Sequence, residues 1–168
     1  MAPESSFQAR AASLLDICRQ RGLMIATAES CTGGGLAAVL TEIAGSSEVF
    51  ERGFVTYSNA AKMELLGVPA EMIERHGAVS TEVARAMAEG ALAHSHAGLS
   101  LSITGVAGPG GGTAAKPVGL VCFAAALRSG TVIDVEKRFD AALGRTGIRR
   151  ESVATALDML AGLARKAG

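Results

Sequence analysis

The sequence is poor in the features by which proteins commonly bind nucleic acids. Tryptophan is absent, and one tyrosine and five phenylalanines leave few aromatic rings on which bases stack. The 16 basic residues are balanced by 16 acidic ones, so there is no net positive charge to attract a phosphate backbone. We therefore expect no nucleic-acid partner.

Cysteines and long apolar runs are also scarce. Cys18, Cys31 and Cys122 are odd in number and widely spaced, which predicts reduced thiols in a cytoplasmic protein and provides no zinc-binding pattern. No apolar run approaches the roughly 18 residues that span a bilayer, and residues 1–10 lack the layout of a signal peptide. We expect a cytoplasmic protein without a membrane partner, and no motif implies a metal or another cofactor.

Helical and strand patterns alternate along the 168 residues, a length that suits one domain. Ser129 and Gly130 form a plausible hairpin turn between the last two predicted strands. We expect one α/β domain over residues 1–168, with three α/β/α layers and a mixed sheet that includes this C-terminal β-hairpin. The predicted helices cover approximately 6–21, 34–44, 60–66, 70–74, 81–93 and 147–166, and the predicted strands cover 23–26, 54–57, 99–104, 118–127 and 131–139.

The polar stretch from Thr27 to Gly35 lies where the first predicted strand passes into a helix. At such a junction ligands commonly bind, and unpaired N–H groups at the helix N-terminus suit an anion or an oxyanion. Ser30 and Cys31 are rival nucleophiles, because a thiol at a helix N-terminus has a lowered pKa. The residues alone favour neither, and a plain glycine-containing turn that caps the helix is an equal alternative.

A serine nucleophile needs a base. His76, His94 and His96 follow helices, where a histidine is most often a solvated cap. Lys62 is the better candidate, in the first turn of a helix that we predict Asn59 to cap. Its pKa must fall by burial for it to act as a base near neutral pH. The alternative is a surface lysine on an amphipathic helix.

Several motifs, in order, resemble the CinA C-terminal domain family, whose stand-alone members include nicotinamide-mononucleotide amidohydrolases. The resemblance implies a Ser30 nucleophile with a Lys62 base, and Tyr57 either relays a proton or orients the lysine. It also implies a homo-oligomer, dimeric or larger. The matching segments are 27–34, 45–47, 55–59 with Lys62, 77–80, 103–109, 116–119, and Arg145 with 148–149.

Backbone N–H groups from Cys31 to Gly34 are candidates for holding the oxyanion, and glycine allows close approach of the backbone to a substrate. A second glycine-rich loop, residues 105–117, matches neither a Walker A motif nor GxGxxG before a helix. The resemblance implies that this loop helps to form a nucleotide pocket, with Arg145, ahead of Arg149, as the phosphate clamp. The substrate-binding candidates are Cys31, Thr32, Gly33, Gly34, Thr104, Gly105, Gly108, Gly112 and Arg145.

Two positions depart from the family pattern, because many relatives carry Asp where this chain has Gly110 and Glu where it has Ala115. The first hypothesis is an amidohydrolase that deamidates nicotinamide mononucleotide, a small-molecule nucleotide. The two departures favour the second, a non-catalytic nucleotide-binding or regulatory module of the same family. A purely structural partner domain is a third, and it leaves both glycine-rich loops unexplained.

Overall fold

The computed structural model describes residues 4–168. Within that range it has six α-helices and five β-strands, with single 3-10 turns at Ser46–Glu48 and Ala141–Leu143. In chain order the elements are α1 (Glu4–Arg21), β1 (Ile25–Glu29), α2 (Gly35–Thr41), β2 (Phe50–Val55), α3 (Asn59–Leu66), α4 (Ala70–His76), α5 (Thr81–Ala93), β3 (Leu99–Gly105), β4 (Leu120–Leu127), β5 (Val132–Arg138) and α6 (Gly144–Lys166).

The five strands form one mixed sheet in the order β2-β1-β3-β4-β5. The first three strands of that order are parallel, and β4 and β5 are antiparallel to their neighbours. Gly130 adopts a φ of 115° in the tight turn between β4 and β5, a conformation that favours glycine. The predicted α/β class, mixed sheet and C-terminal hairpin are confirmed.

Helices cover both faces of the sheet. On one face α1, α2 and α6 pack on large apolar side chains such as Leu101 and Phe123. On the other, α5 packs closely on small residues of β3, where the buried hydroxyls of Ser100 and Ser102 donate to carbonyls of the helix. Gly90 of α5 allows α3 to approach, because an added Cβ would lie 2.0 Å from the carbonyl oxygen of Leu66.

Strand β1 lies later in the chain than predicted, at Ile25–Glu29 instead of 23–26. Its residues pair with β3 from Ile25 opposite Leu99 to Glu29 opposite Ile103. Thr27 and Glu29 are polar and suggest a loop, yet both are completely buried. The strand pairing and the internal hydrogen bonds of Glu29 override the local pattern.

Other boundaries also differ from the sequence-based expectation. Strand β2 begins at Phe50 instead of 54, and its position at the edge of the sheet leaves much of it exposed, without a clear hydrophobic signal. Helix α2 is shorter than predicted and α6 begins three residues earlier, at Gly144. The cap of α3 is Ser58, whose Oγ accepts from the N–H of Ala61, and Asn59 is the first helical residue.

None of the helices in residues 4–168 is long and apolar enough to cross a membrane. The three cysteines are unpaired and buried. No group of three or more metal-ligating His, Cys, Asp or Glu side chains occurs in the same residues.

Candidate active site

Ser30 is the first residue after β1, at the carboxyl end of the three parallel strands. Its N–H donates to the carbonyl oxygen of Ile103 at 2.9 Å, which ties the start of the turn to β3. The residue is 8% exposed and borders a cleft between the loops that follow β2 and β3. The hydroxyl therefore stands at the edge of the sheet where α/β proteins commonly bind ligands.

The ammonium of Lys62 reaches Ser30 from α3. Its Nζ lies 3.2 Å from Ser30 Oγ and 2.9 Å from the carbonyl oxygen of Thr56, to which it donates. The lysine is only 2% exposed, although it is charged in its usual state. The structure therefore does not place Lys62 on the solvent face of an amphipathic helix.

Burial acts on the two titratable groups beside Ser30. Desolvation lowers the pKa of the Lys62 ammonium below its ordinary 10.5, which favours the neutral amine. Burial likewise raises the pKa of the Cys31 thiol to about 11, and the positive charges of Arg149 and Arg145 offset this only in part. The expected lowering of the Cys31 pKa at a helix N-terminus is therefore wrong, because desolvation outweighs the backbone hydrogen bond and the arginine charges that lower it.

Glu29 is a site residue that the sequence analysis missed. Its carboxylate is completely buried and accepts from Thr32 Oγ1 at 2.7 Å and from the N–H groups of Leu36 and Ala37 at 2.8 and 3.0 Å. It thus caps the N-terminus of α2, which has no side-chain cap at Gly34. The sequence offered an N-terminal anion site for a ligand, but the protein's own carboxylate fills it.

The turn after Ser30 depends on two glycines in the left-handed region, Gly33 with φ 59° and Gly34 with φ 98°. The N–H of Gly33 donates to the Ser30 carbonyl at 2.9 Å, so it is used within the turn. Within the described chain, no carbonyl or side-chain oxygen accepts from the N–H groups of Cys31, Thr32 or Gly34. These three remain as candidate oxyanion donors from the predicted set, and those of Cys31 and Thr32 directly follow Ser30 in the chain.

The cleft beside Ser30 has a volume of about 300 Å³. The structure brings eight of the predicted site residues to its walls: Ser30, Cys31, Tyr57, Lys62, Thr104, Gly105, Gly108 and Arg145. It does not bring Thr32, Gly33, Gly34 or Gly112 there. The Thr32 side chain turns to Glu29, and Gly112 lies against Val118, whose backbone N would be 2.8 Å from an added Cβ.

Arg145 connects the loop after β2 to the loop after β3. Its Nη2 donates to the Tyr57 hydroxyl at 2.8 Å, and its Nη1 donates to the carbonyl of Gly108 at 2.7 Å. Tyr57 is 61% exposed and lies beyond the end of β2, so it is neither a strand residue nor a core residue. Its hydroxyl contacts the guanidinium and forms no hydrogen bond with Lys62 in the described structure.

On the far wall of the cleft, side chains donate hydrogen bonds to the backbone carbonyls and hold the segment in place. Thr104 Oγ1 donates to the carbonyl of Ala78 at 2.8 Å, and Ser80 Oγ donates to that of Gly77 at 2.9 Å. Lys116 Nζ donates to the carbonyls of His76, at 3.0 Å, and Val79. Lys116 is thus a second residue without an assigned role in the sequence analysis. The matching segment 116–119 marks it, but its acceptors lie 37 and 40 residues away in the chain.

The three histidines lie away from this cleft. His76 ends α4, with its Nδ1 at 3.6 Å from a Glu82 carboxylate oxygen, and His94 caps α5 with its Nδ1 at 2.8 Å from the Gly90 carbonyl. These positions agree with the interpretation of these two histidines as helix caps. No histidine is placed to act on Ser30.

The fold and the cleft define a class: an α/β protein in which a buried lysine on α3 contacts a serine at the end of a central parallel strand. Residues 7–164 match the family model described as the CinA C-terminal domain. The chain belongs to this family, and the resemblance found in its sequence motifs is confirmed.

Solved structures of similar proteins support the assignment. The competence/damage inducible protein CihA from Agrobacterium tumefaciens is 50% identical with a TM-score of 0.93, over 97% of this chain and 98% of that one. A competence-damaged protein (CinA) superfamily protein from Klebsiella pneumoniae is 32% identical with a TM-score of 0.90, over 95% and 98% of the two chains.

A CinA-like protein from Synechococcus sp. (strain CC9902) is 51% identical over 150 residues, which are 89% of this chain and 36% of that protein. A CinA-like protein from Mycolicibacterium vanbaalenii is 56% identical over 139 residues, 83% of this chain and 32% of that protein. The chain thus spans about a third of the length of these curated relatives.

Proposed function

We propose that the protein is an amidohydrolase that converts nicotinamide mononucleotide into nicotinate mononucleotide and ammonia. The observation that carries the proposal is the 3.2 Å contact between Lys62 Nζ and Ser30 Oγ, two side chains that are both buried. The choice of substrate comes from the family resemblance. The reaction class comes from the pair itself, since a serine beside a lysine of lowered pKa is a nucleophile beside a candidate base.

The chemistry follows from the two side chains. Neutral Lys62 takes the hydroxyl proton as Ser30 Oγ attacks the carboxamide carbon, and an oxyanion forms on the former carbonyl oxygen. Lys62 then returns the proton to the amide nitrogen, the C–N bond breaks, and ammonia leaves an acyl-serine ester. A water molecule, deprotonated by the same amine, hydrolyses the ester to the carboxylate and restores Ser30.

Burial is what allows Lys62 to be the base. The pKa of its ammonium is lowered because the group is desolvated, and its contact with Thr56 is a neutral carbonyl that cannot replace a counter-ion. The N–H groups of Cys31 and Thr32 are the candidate donors to the oxyanion. One such donor is typically worth on the order of 3 kcal/mol of barrier lowering.

The substrate's phosphate needs positive charge at the other end of the cleft, because Glu29 occupies the N-terminus of α2. Arg145 is an exposed guanidinium on the cleft wall beside Gly108. We assign the phosphate to Arg145 and to amides of the glycine-rich loop. Planar guanidinium groups bind phosphate oxygens in pairs.

The alternative is a nucleotide-binding module without turnover. Gly110 lies on the cleft wall, and no atom lies within 4 Å of the position that a Cβ would take there, so the Asp found in many relatives would fit without a clash. A binding module, however, gains nothing from a lysine desolvated against a serine. Burying that ammonium lowers the stability of the fold, and such an unfavourable arrangement is typical of catalytic sites.

The test measures ammonia release from nicotinamide mononucleotide by the wild-type protein, Ser30→Ala and Cys31→Ala. We expect Ser30→Ala to lose at least about 10³-fold in kcat and Cys31→Ala to remain within about 10-fold of wild type, because the Cys31 amide N–H survives the change. Loss confined to Cys31→Ala would make the thiol the nucleophile. Binding of the nucleotide without ammonia release by wild type would favour the non-catalytic module.

A further inference from the structure

Arg149, on the first turns of α6, holds the backbone of the turn that carries Ser30. Its Nε donates to the carbonyl of Cys31 at 3.1 Å and its Nη2 to that of Thr32 at 3.0 Å. These contacts cross 118 and 117 residues of the chain. The sequence analysis considered Arg149 as a second phosphate clamp, but it lies outside the lining of the Ser30 cleft.

The fork of the guanidinium sets the orientation of two peptide groups. In a trans peptide the C=O and the following N–H point in opposite directions. Because the Cys31 carbonyl points to Arg149, the Thr32 N–H of the same peptide group points away from the guanidinium. The Thr32 carbonyl also points to Arg149, so the Gly33 N–H points the other way, toward the Ser30 carbonyl to which it donates. One side chain therefore fixes the geometry of the residues that follow the nucleophile.

The same guanidinium also supplies charge. Its acceptors are neutral carbonyls, so these contacts leave its positive charge uncompensated directly behind the turn. That charge acts at the site, since it lowers the pKa of the neighbouring Cys31 thiol against the larger effects of burial and of the Glu29 carboxylate, which raise it. For a negative charge that develops on a substrate oxygen next to Ser30, the charge of Arg149 would offset part of the repulsion from Glu29.

We propose that Arg149 is a positioning residue: by holding the Cys31 and Thr32 carbonyls it orients the Thr32 N–H directly and, through the bond from the Gly33 N–H to the Ser30 carbonyl, the Cys31 N–H. These two N–H groups are the candidate donors to the oxyanion formed when Ser30 attacks. The proposal rests on the proposed serine chemistry and assigns its oxyanion support to a residue that does not contact the substrate. Loss of Arg149 then lowers the rate of attack and leaves the affinity for the substrate little changed.

The experiment compares wild type, Arg149→Met and Arg149→Lys with Arg128→Met as the matched control. Arg128 also donates to backbone carbonyls, those of Leu92, Ser95 and Ala97, but on the amino side of β3, away from the cleft. Two readouts are used: kcat and KM for ammonia release, and the rate at which a fluorophosphonate labels Ser30, read by mass spectrometry. In labelling, Ser30 Oγ attacks phosphorus, fluoride leaves, and the serine proton passes to Lys62.

We expect Arg149→Met to lower both kcat and the labelling rate about 10²-fold, with KM within about 3-fold, since misplacement by about 1 Å costs this much. Arg149→Lys keeps the charge and loses the fork, so its rates fall between those of wild type and Arg149→Met. Arg128→Met keeps wild-type kinetics even if its melting temperature falls. If Arg149→Met does not fold, Arg149→Lys decides by the same two rates.

Rates in the Arg149 variants equal to those of Arg128→Met would overturn the proposal, as would a raised KM with an unchanged kcat, which indicates substrate binding. Labelling of Ser30 without ammonia release by wild type removes the proposed substrate, and the labelling rates then decide on Arg149 alone. If wild-type Ser30 is not labelled and the Arg149 variants release ammonia at the wild-type rate, the proposed role of Arg149 is rejected. The proposed amidase reaction is then retained.

Discussion

At the scale of single residues, the candidate site assigns different tasks to side chains of similar type. Arg145 bridges Tyr57 and Gly108 on the wall of the cleft, whereas Arg149 contacts the turn that follows Ser30 from outside the cleft. Both are close to each other in sequence, on the same helix. Their hydrogen-bond partners differ: Arg145 lies where it can bind a ligand, whereas Arg149 holds the backbone of the turn.

Tyr57→Phe tests what the tyrosine hydroxyl does. Because its partner is Arg145 and not Lys62, we expect KM for nicotinamide mononucleotide to rise about 3- to 10-fold, equivalent to one hydrogen bond of about 1 kcal/mol. Steady-state kinetics of ammonia release should show kcat within about 2-fold of wild type, since the base is untouched.

Arg145→Lys should raise KM further, because the lysine keeps the charge without the two-pronged contact, and Arg138→Lys on strand β5 serves as a control outside the cleft.

For Tyr57→Phe, a proton relay through the hydroxyl would instead lower kcat at least about 10-fold with an unchanged KM. That result would return the tyrosine to the role considered from the sequence.

At the scale of elements, the junction between β1 and α2 is held from within by Glu29. The last residue of the strand caps the helix that follows it, and the hydroxyl of Thr32 completes the arrangement. The cap keeps the turn between strand and helix in one conformation. It also places a negative charge where the unfilled helix terminus would have attracted a substrate anion.

Glu29→Gln should therefore destabilise the protein. The carboxylate has two acceptor oxygens, whereas the amide has only one. The NH₂ of the amide would therefore face at least one of the groups that donate to Glu29, and that hydrogen bond would be lost. We expect a loss of about 1–3 kcal/mol in the free energy of unfolding, measured by urea denaturation. Glu48→Gln is the control, because Glu48 is exposed and its pair with Arg19 is a surface contact worth about 0–1 kcal/mol. Equal losses in the two variants would contradict a special role for the buried cap.

At the scale of the whole molecule, burying Lys62 links stability to pH. In the unfolded chain its pKa is near 10.5, and in the folded protein desolvation holds it lower. Below the folded value both states carry the proton, so the cost of burying the charge is fully present. As pH rises from the folded pKa to the unfolded pKa the unfolded state binds more protons, and the native state gains stability.

Lys62→Met removes this dependence. We expect the variant to be more stable than wild type at neutral and lower pH, with each kcal/mol raising Tm by roughly 2–4 °C, and to lose that advantage as pH rises toward 10.5. Urea denaturation over a pH series measures the difference. A constant difference between the two proteins at every pH would mean that Lys62 keeps an ordinary pKa. In the same variant, ammonia release should fall by about 10²- to 10⁴-fold.

The sequence by itself determined the order of helices and strands, the C-terminal hairpin, the family, and the stretch in which Ser30 stands. These features depend on local patterns: apolar periodicity, glycine at turns and short motifs in order. The predicted bounds of β1 were wrong because Thr27 and Glu29 are polar and were assigned to a loop. Both are buried by residues that are distant in the sequence.

Only the tertiary structure decided that Lys62 is buried against Ser30, that Tyr57 contacts Arg145, and that Arg149 holds the turn. These contacts join residues 32, 88 and 117 to 118 positions apart. Desolvation and hydrogen-bond geometry are properties of such long-range neighbours, and no spacing within one segment encodes them. Burial within the folded chain also raises the pKa of the Cys31 thiol, whose local position at a helix start suggested the opposite.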